Sequence, residues 1–212
     1  SLIACSLSIL GMTHALGAEP NGHSQGPGAA TTCVTAAQYE AIEAALGATR
    51  PALKPFSTLQ PDVLFNDPMG GGMNSPGRVV SKYVDLDPSE GLLDFNCDAI
   101  TYDGHRGTDV AIVNFFMMDE GVPILAAADG EVVFVRDGEF DRHTEQVSDS
   151  FPNMVVIRHS DGSEARYLHM RKNSVAVKAG DRAQAGDTLG FVGSSGFSSG
   201  PHLHFEVQRG GV

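Results

Sequence analysis

The stretch Gly200–Val207 reads GPHLHFEV and has the alternating pattern of a half-buried β-strand. Side chains at positions i and i+2 of a strand leave the same face, so His202 and His204 project together. Leu203 and Phe205 point to the opposite face, where we expect the hydrophobic core. This stretch therefore predicts a β-sheet with apolar side chains on one face and a pair of imidazoles on the other.

Upstream of this stretch, apolar runs alternate with turn signals such as Asp137-Gly138 and Asp161-Gly162. The 25 glycines and 11 prolines among the 212 residues are spread between these runs, which favours many short strands. No extended helix is expected after Pro51. The predicted fold class is mainly β, and the predicted strands are Glu131–Arg136, Asn153–His159, Glu164–Met170, Thr188–Val192 and His202–Gln208.

A single amphipathic helix is predicted near the N-terminus. Thr35 suits the N-cap position, Gly47 the C-terminal end, and Pro51 a stop signal. One amphipathic helix cannot fold alone, so we expect it to pack on the rest of the chain or on a partner. Its apolar positions are Tyr39, Ile42, Ala45 and Leu46.

The chain divides into three predicted regions. Residues 1–18 are apolar and end in small residues, which predicts a clipped signal peptide and an exported protein of the periplasm or cell envelope. Lipoprotein anchoring through Cys5 is the minor alternative, because apolar residues continue beyond it. Residues 19–60 are predicted to form a linker and the short helix, and residues 61–212 one domain that is truncated at its C-terminus.

Cleavage of such a signal leaves Cys33 and Cys97 as an even pair in an oxidising compartment. A disulfide between them is predicted, and two buried free thiols are the alternative. The 26 acidic and 14 basic residues give a net charge of −12. This balance excludes an electrostatic surface for nucleic acid and keeps an exported protein soluble. The sequence does not indicate an oligomeric state.

Candidate metal ligands occur in two separate motifs. In GHRGTD, Gly107 lets the backbone bend so that His105 and Asp109 can face one ion. A catalytic zinc ion takes three nitrogen or oxygen ligands and keeps one open position. One histidine of the HLH pair fills the remaining ligand position, which leaves the other for proton transfer.

A third motif, Tyr167-Leu168-His169, supplies a second candidate catalytic histidine. Its i, i+2 spacing predicts that Tyr167 and His169 lie on one side of a strand. His169 is then expected near the metal ligands. His143 and His159 are interpreted as solvated or structural.

The motifs GHRGTD, YLHM and SSGFSSGPHLHFEV, in this order, resemble the zinc metallopeptidases of the lysostaphin and LytM type, which cleave peptides of bacterial peptidoglycan. The resemblance covers roughly residues 61–212 and implies antiparallel β-sheets that form a groove, with Zn²⁺ as cofactor and peptidoglycan peptides as partners. It implies that the zinc ligands are His105, Asp109 and His204, and that the catalytic histidines are His169 and His202.

The sequence departs from the family pattern beside these motifs. Ala165 and Met170 stand where threonine and leucine are common, which bears on substrate preference. One alternative is a catalytically inactive wall-binding protein or an activator of another hydrolase, although all five site positions are filled. A biotinyl or lipoyl carrier is the other alternative, but the chain lacks the carrier lysine in a Met-Lys-Met hairpin.

Overall fold

The structure is a computed structural model, which describes residues 34–49, 63–70, 75–147 and 149–209. Two helices and nine strands occur in these ranges. The helices are α1 (Ala36–Thr49) and α2 (Phe115–Glu120). The strands are β1 (Arg78–Lys82), β2 (Thr108–Ile112), β3 (Pro123–Leu125), β4 (Gly130–Arg136), β5 (Met154–Arg158), β6 (Ser163–Leu168), β7 (Arg182–Ala183), β8 (Thr188–Phe191) and β9 (His202–Arg209).

Seven strands form one antiparallel sheet in the order β1-β2-β9-β6-β5-β4-β7. Strands β3 and β8 form a separate antiparallel ribbon. The last strand therefore lies near the middle of the sheet, between β2 and β6. The predicted mainly β, antiparallel fold class is confirmed.

The two faces of the large sheet have different partners. Leu203, Tyr167 and Ile157 belong to the main hydrophobic core, which also includes Ile124 of β3 and Leu189 of β8. The opposite face carries a smaller apolar cluster beneath α1, formed by Val34, Tyr39, Ile42, Leu46, Val133, Met154, Val156 and Leu168. Alternate side chains of one strand thus enter different cores, as a period of two residues requires.

The N-cap prediction for α1 is confirmed. The Thr35 hydroxyl accepts a hydrogen bond from the backbone N–H of Gln38 at 3.2 Å. In return, the side-chain oxygen of Gln38 accepts one from the backbone N–H of Thr35 at 2.9 Å. This reciprocal pair is a capping box, which satisfies amides that have no partner within the helix. The predicted end is wrong, because the helix continues through Gly47 to Thr49. Gly47 does not adopt the left-handed conformation that ends many helices, so it does not terminate α1.

All five predicted strands are present, with boundaries shifted by at most two residues. The sequence patterns missed β1, β2, β3 and β7, which are two to five residues long. Strands β3 and β7 have too few alternating positions to show a period. Strands β1 and β2 are as long as the predicted β5, and their pairing partners decide their conformation. Within the described ranges, no helix is both long and apolar enough to cross a bilayer.

Candidate metal centre

Three buried side chains meet at one point on the α1 side of the sheet. The closest nitrogen and oxygen atoms of His105, Asp109 and His204 lie 2.9–3.2 Å apart. Each of these residues is at most 3% exposed. The sequence pattern placed these three residues in two distant motifs, and the fold brings them together.

Strand pairing explains much of this geometry. Asp109 on β2 lies directly opposite His204 on β9 in the antiparallel register. Side chains of such a cross-strand pair share one face, with Cβ atoms about 5 Å apart. His105 belongs to the loop before β2, and its Nδ1 donates to the carbonyl of Tyr83 at 2.6 Å. That hydrogen bond directs Nε2 of His105 toward the other two residues.

The arrangement fits a tetrahedral metal ion. Ligands at about 2.0–2.1 Å from zinc lie roughly 3.3 Å from one another, close to the separations found here. His105 offers Nε2, His204 offers Nδ1 and Asp109 offers Oδ1. Three ligands from nitrogen and oxygen donors leave a fourth position for water or substrate.

The Asp109 carboxyl carries the negative charge that a cation site needs. Burial alone raises its pKa, but nearby His202 and the polar contacts with the rings of His105 and His204 outweigh burial. Together they hold the pKa of Asp109 well below its ordinary value. Asp109 is therefore an anionic ligand group at neutral pH.

Two further histidines border the three candidate ligands. His202 Nε2 lies 3.9 Å from Asp109 Oδ1, and the ring centroids of His169 and His202 are 4.4 Å apart. The Nδ1 atoms of these rings donate to the carbonyls of Gly200 and Ser195, at 2.8 and 2.7 Å. These bonds orient both rings with Nε2 away from the backbone.

The position of His169 beside His202 does not follow from the i, i+2 spacing of Tyr167 and His169. The expectation that Tyr167 and His169 share one side is wrong. Tyr167 packs in the main core against Phe205, and its hydroxyl accepts a hydrogen bond from the Ala127 amide at 2.9 Å. His169 has a backbone φ of 63°, a left-handed conformation that interrupts the alternation and turns its ring toward His202.

Gly107 has a different role from the one predicted. A Cβ atom at this position would lie 2.6 Å from Nε2 of His204 and 2.8 Å from the carbonyl oxygen of Phe205. The glycine is therefore needed for close approach to the metal ligand, whereas the sequence suggested a backbone bend. That collision involves residues almost a hundred positions apart, so the local motif could not reveal it.

Glu206 is a site residue that the sequence analysis missed. Its Oε2 lies 3.5 Å from Nε2 of His204, and Glu206 is only 1% exposed. Burial alone raises its pKa, but His204 and Arg166 nearby hold the pKa of Glu206 below its ordinary value. The i, i+2 rule that paired His202 with His204 extends to Glu206 and could have identified it.

The other two histidines of the described residues, His143 and His159, lie apart from the candidate ligands, as predicted. His159 donates from Nδ1 to the Asp129 carbonyl at 2.8 Å and packs edge-on against Phe65. His143 lies 3.1 Å from the Ser150 hydroxyl in the loop after β4. Both contacts are structural.

The sequence profile described as Peptidase family M23 matches residues 103–212, which is half of the chain and contains all five predicted site residues. The chain belongs to this family. Its M23 region begins just before His105 and includes both histidines of β9.

Similarity to individual proteins covers the same part of the chain. The peptidoglycan DD-endopeptidase ShyC of Vibrio cholerae is 36% identical over 108 residues, which are 51% of this chain and 21% of that protein. The DD-carboxypeptidase/endopeptidase Mpg of Neisseria meningitidis is 36% identical over 108 residues, which are 50% of this chain and 20% of that protein. The chain thus spans about a fifth of the length of the curated relatives it matches.

Among solved structures, the catalytic domain of the prophage-encoded M23 protein EnpA from Enterococcus faecalis is 30% identical to this chain. The match covers 64% of this chain and 84% of that domain, with a TM-score of 0.45.

A cleft of about 440 Å³ opens beside the cluster in the M23 region. Asp109 and His202 lie on its wall, and the loop from Phe197 to Pro201 forms one side. Lys82 of β1, outside the M23 match, lines it as well. A substrate in this cleft therefore has direct access to Asp109 and to His202.

Cys97 is disulfide-bonded. Cys33, its predicted partner, lies outside the described residues, and so do the predicted signal peptide and most of the predicted linker. The Cys33–Cys97 pairing therefore stays a prediction.

Proposed function

We propose that this chain is a zinc-dependent endopeptidase that hydrolyses peptide crosslinks of bacterial peptidoglycan. One observation carries the proposal: His105, Asp109 and His204 converge to within 3.2 Å beside two oriented histidines, at the wall of an open cleft. Membership of peptidase family M23 supports the reaction type. The names of the V. cholerae and N. meningitidis relatives support peptidoglycan as the substrate.

His105, Asp109 and His204 are the proposed ligands of the zinc ion. When bound there, zinc polarises the scissile carbonyl and lowers the pKa of a water molecule to about 7. The protein contributes one negative and two neutral ligands in a buried, preorganised set. Because these ligands come from a sheet and a loop tied to Tyr83, little rearrangement is needed when the ion binds.

His169 and His202 are the proposed catalytic histidines. Each ring donates its Nδ1 hydrogen to a backbone carbonyl, so the neutral ring has an Nε2 lone pair that can accept a proton. One neutral ring takes the proton of the attacking water at Nε2. The other ring acts as an imidazolium, with a proton on Nε2 as well, and donates a hydrogen bond to the oxygen that becomes negative in the transition state. The pair is held at a ring separation of 4.4 Å, which allows both to reach one scissile bond.

The cell envelope is the proposed site of action, because peptidoglycan crosslinks are found there. The disulfide at Cys97 agrees with an oxidising compartment outside the cytoplasm.

Digestion of purified peptidoglycan sacculi tests the proposed function. The protein is incubated with sacculi in the presence of a zinc chelator, and again after zinc is restored, and soluble fragments are identified by mass spectrometry. We expect fragments cut within the peptides, abolished by chelation and restored by zinc. The masses also identify the crosslink that is cut.

Two variants provide the controls for this experiment. His202→Ala removes a proposed catalytic ring and should abolish release. His143→Ala removes a histidine of similar chemistry whose Nε2 contacts Ser150, and should leave release unchanged. If the zinc-loaded protein binds sacculi but releases no fragments, the endopeptidase proposal fails and a wall-binding or activator role replaces it.

A further inference from the structure

Helix α1 lies outside the residues that match family M23, yet it contacts the face of the sheet that carries the candidate metal ligands. Its Tyr39 is 9% exposed and points toward β9. The ring packs in the apolar cluster beneath the helix, while the hydroxyl donates a hydrogen bond to Glu206 of β9. One side chain of α1 thus bridges the helix and the candidate metal centre.

The hydroxyl of Tyr39 connects to the metal ligand His204 through one carboxylate. It donates to Oε2 of Glu206 at 3.1 Å, and the same oxygen lies 3.5 Å from Nε2 of His204. Gln208 donates to the other oxygen of Glu206. Both carboxylate oxygens therefore have donors, and Oε2 is held against the ring whose Nδ1 faces Asp109.

Tyr39 also contacts the loop that carries the other histidine ligand. The guanidinium carbon of Arg106 lies 4.4 Å from the centroid of the Tyr39 ring, which is a cation–π distance. Arg106 follows His105 directly in the sequence. Tyr39 therefore restrains the His105 loop through its ring and the His204 strand through its hydroxyl.

We infer that Tyr39 and Glu206 are positioning residues of the zinc site, so that helix α1 is a functional part of the metal centre. A histidine that binds a metal through one nitrogen commonly donates its other N–H to a carboxylate, which fixes the ring and increases its basicity. Glu206 is this carboxylate, and Tyr39 holds it in place. The inference rests on the proposed zinc ligands.

Zinc affinity tests the inference without relying on catalysis. The dissociation constant of zinc is measured by competition with a chromophoric chelator for the wild-type chain and for Glu206→Gln and Tyr39→Phe. Loss of such a carboxylate typically weakens metal binding 10–100-fold, which is the expected effect of Glu206→Gln. Tyr39→Phe keeps the ring and the Arg106 contact, so a smaller weakening of about 3–10-fold is expected.

Tyr167→Phe is the matched control. It also removes one buried tyrosine hydroxyl with one hydrogen bond, but on the opposite face of the sheet, where the hydroxyl meets the Ala127 amide. Its zinc affinity should stay within about twofold of wild type, even though its melting temperature falls. The cobalt-substituted proteins provide a second readout: the visible spectrum should shift in the Tyr39 and Glu206 variants and match wild type in the Tyr167 variant.

The outcomes separate this inference from the proposed function. If Tyr39→Phe and Tyr167→Phe both bind zinc as wild type does, α1 is only a structural cover and the inference is overturned, while the proposed zinc site stands. If the wild-type chain binds no zinc, both proposals fail. If Glu206→Gln does not fold, the comparison of Tyr39→Phe with Tyr167→Phe still decides the question.

Discussion

Backbone carbonyls orient three of the four histidines of the candidate site. The Nδ1 atoms of His105, His169 and His202 donate to the carbonyls of Tyr83, Ser195 and Gly200, at 2.6–2.8 Å. Because a carbonyl only accepts, these bonds select the tautomer whose Nε2 faces the site. His204 differs, since its Nε2 faces Glu206 and its Nδ1 faces Asp109. The site thus depends on backbone conformation as much as on neighbouring side chains.

Single substitutions should separate metal binding from proton transfer. His202→Ala is expected to retain zinc and lose about 10²–10⁴-fold in turnover, because it removes a proton-transfer group that is not a ligand. Asp109→Ala is expected to lose both zinc and turnover, because it removes the anionic ligand. Zinc content after dialysis and the rate of fragment release measure the two effects. Equal zinc loss in both variants would show that His202 is itself a ligand.

The hairpin between β5 and β6 is closed by one buried carboxylate. Asp161 accepts hydrogen bonds from the Ser163 amide and hydroxyl, at 2.9 and 2.6 Å, and from the Val63 amide at 3.1 Å. Burial alone raises the pKa of Asp161, but these hydrogen bonds and the charge of Arg209 lower it below its ordinary value. The turn therefore connects the hairpin to both the chain before β1 and the end of β9.

Asp161 should make the stability of the protein depend on pH. Its folded pKa is lowered, so its stabilising contribution is complete above the unfolded pKa of about 3.9 and is lost as pH falls through the folded pKa. Asp161→Asn should lower the free energy of unfolding by about 2 kcal/mol at pH 7, and the difference from wild type should shrink below about pH 4. Urea unfolding at both pH values measures this. A difference that is independent of pH would exclude the carboxylate as the cause.

Helix α1 contains a glycine, Gly47, at a position where the structure has room for a larger side chain. Gly47 lies inside the helix, and an added Cβ would have no atom within 4 Å. Replacing a glycine inside a helix with alanine stabilises the helix by up to about 1 kcal/mol. The stabilisation is smaller in the last turn of the helix. Gly47→Ala should therefore stabilise the protein by about 0.5 kcal/mol in urea unfolding. A loss of stability would indicate that this glycine has a contact or conformation other than the helical one described.

At the scale of the whole molecule, the candidate metal centre joins elements that are far apart in the sequence. His105 lies in the loop before β2, Asp109 on β2, and His204 on the central strand β9, about 100 residues later. The same face of the sheet carries α1, whose Glu43 forms an ion pair with the buried Arg166 of β6. A ligand that binds the three site residues therefore restrains the loop before β2 and the adjacent strands β2 and β9 at once.

Zinc removal should lower the stability of the entire fold. A ligand that binds only the folded state at 1,000 times its dissociation constant adds about 4 kcal/mol. For a domain of this size, that corresponds to a rise of about 8–16 °C in melting temperature. Calorimetry with and without a chelator measures the shift, and Asp109→Ala should show none. An identical shift in that variant would place the metal elsewhere in the chain.

Local patterns in the sequence determined strands β4, β5, β6, β8 and β9, the start of α1 at Thr35 and the five candidate site residues. These features can be predicted from residues that are close together in the sequence, because strand alternation, helix capping and ligand chemistry act over a few residues. Only the tertiary structure decided strands β1, β2, β3 and β7, the left-handed conformation of His169, the steric role of Gly107 and the Tyr39–Glu206 contact. Each depends on groups from distant parts of the chain, and only the folded sheet brings those groups within bonding distance.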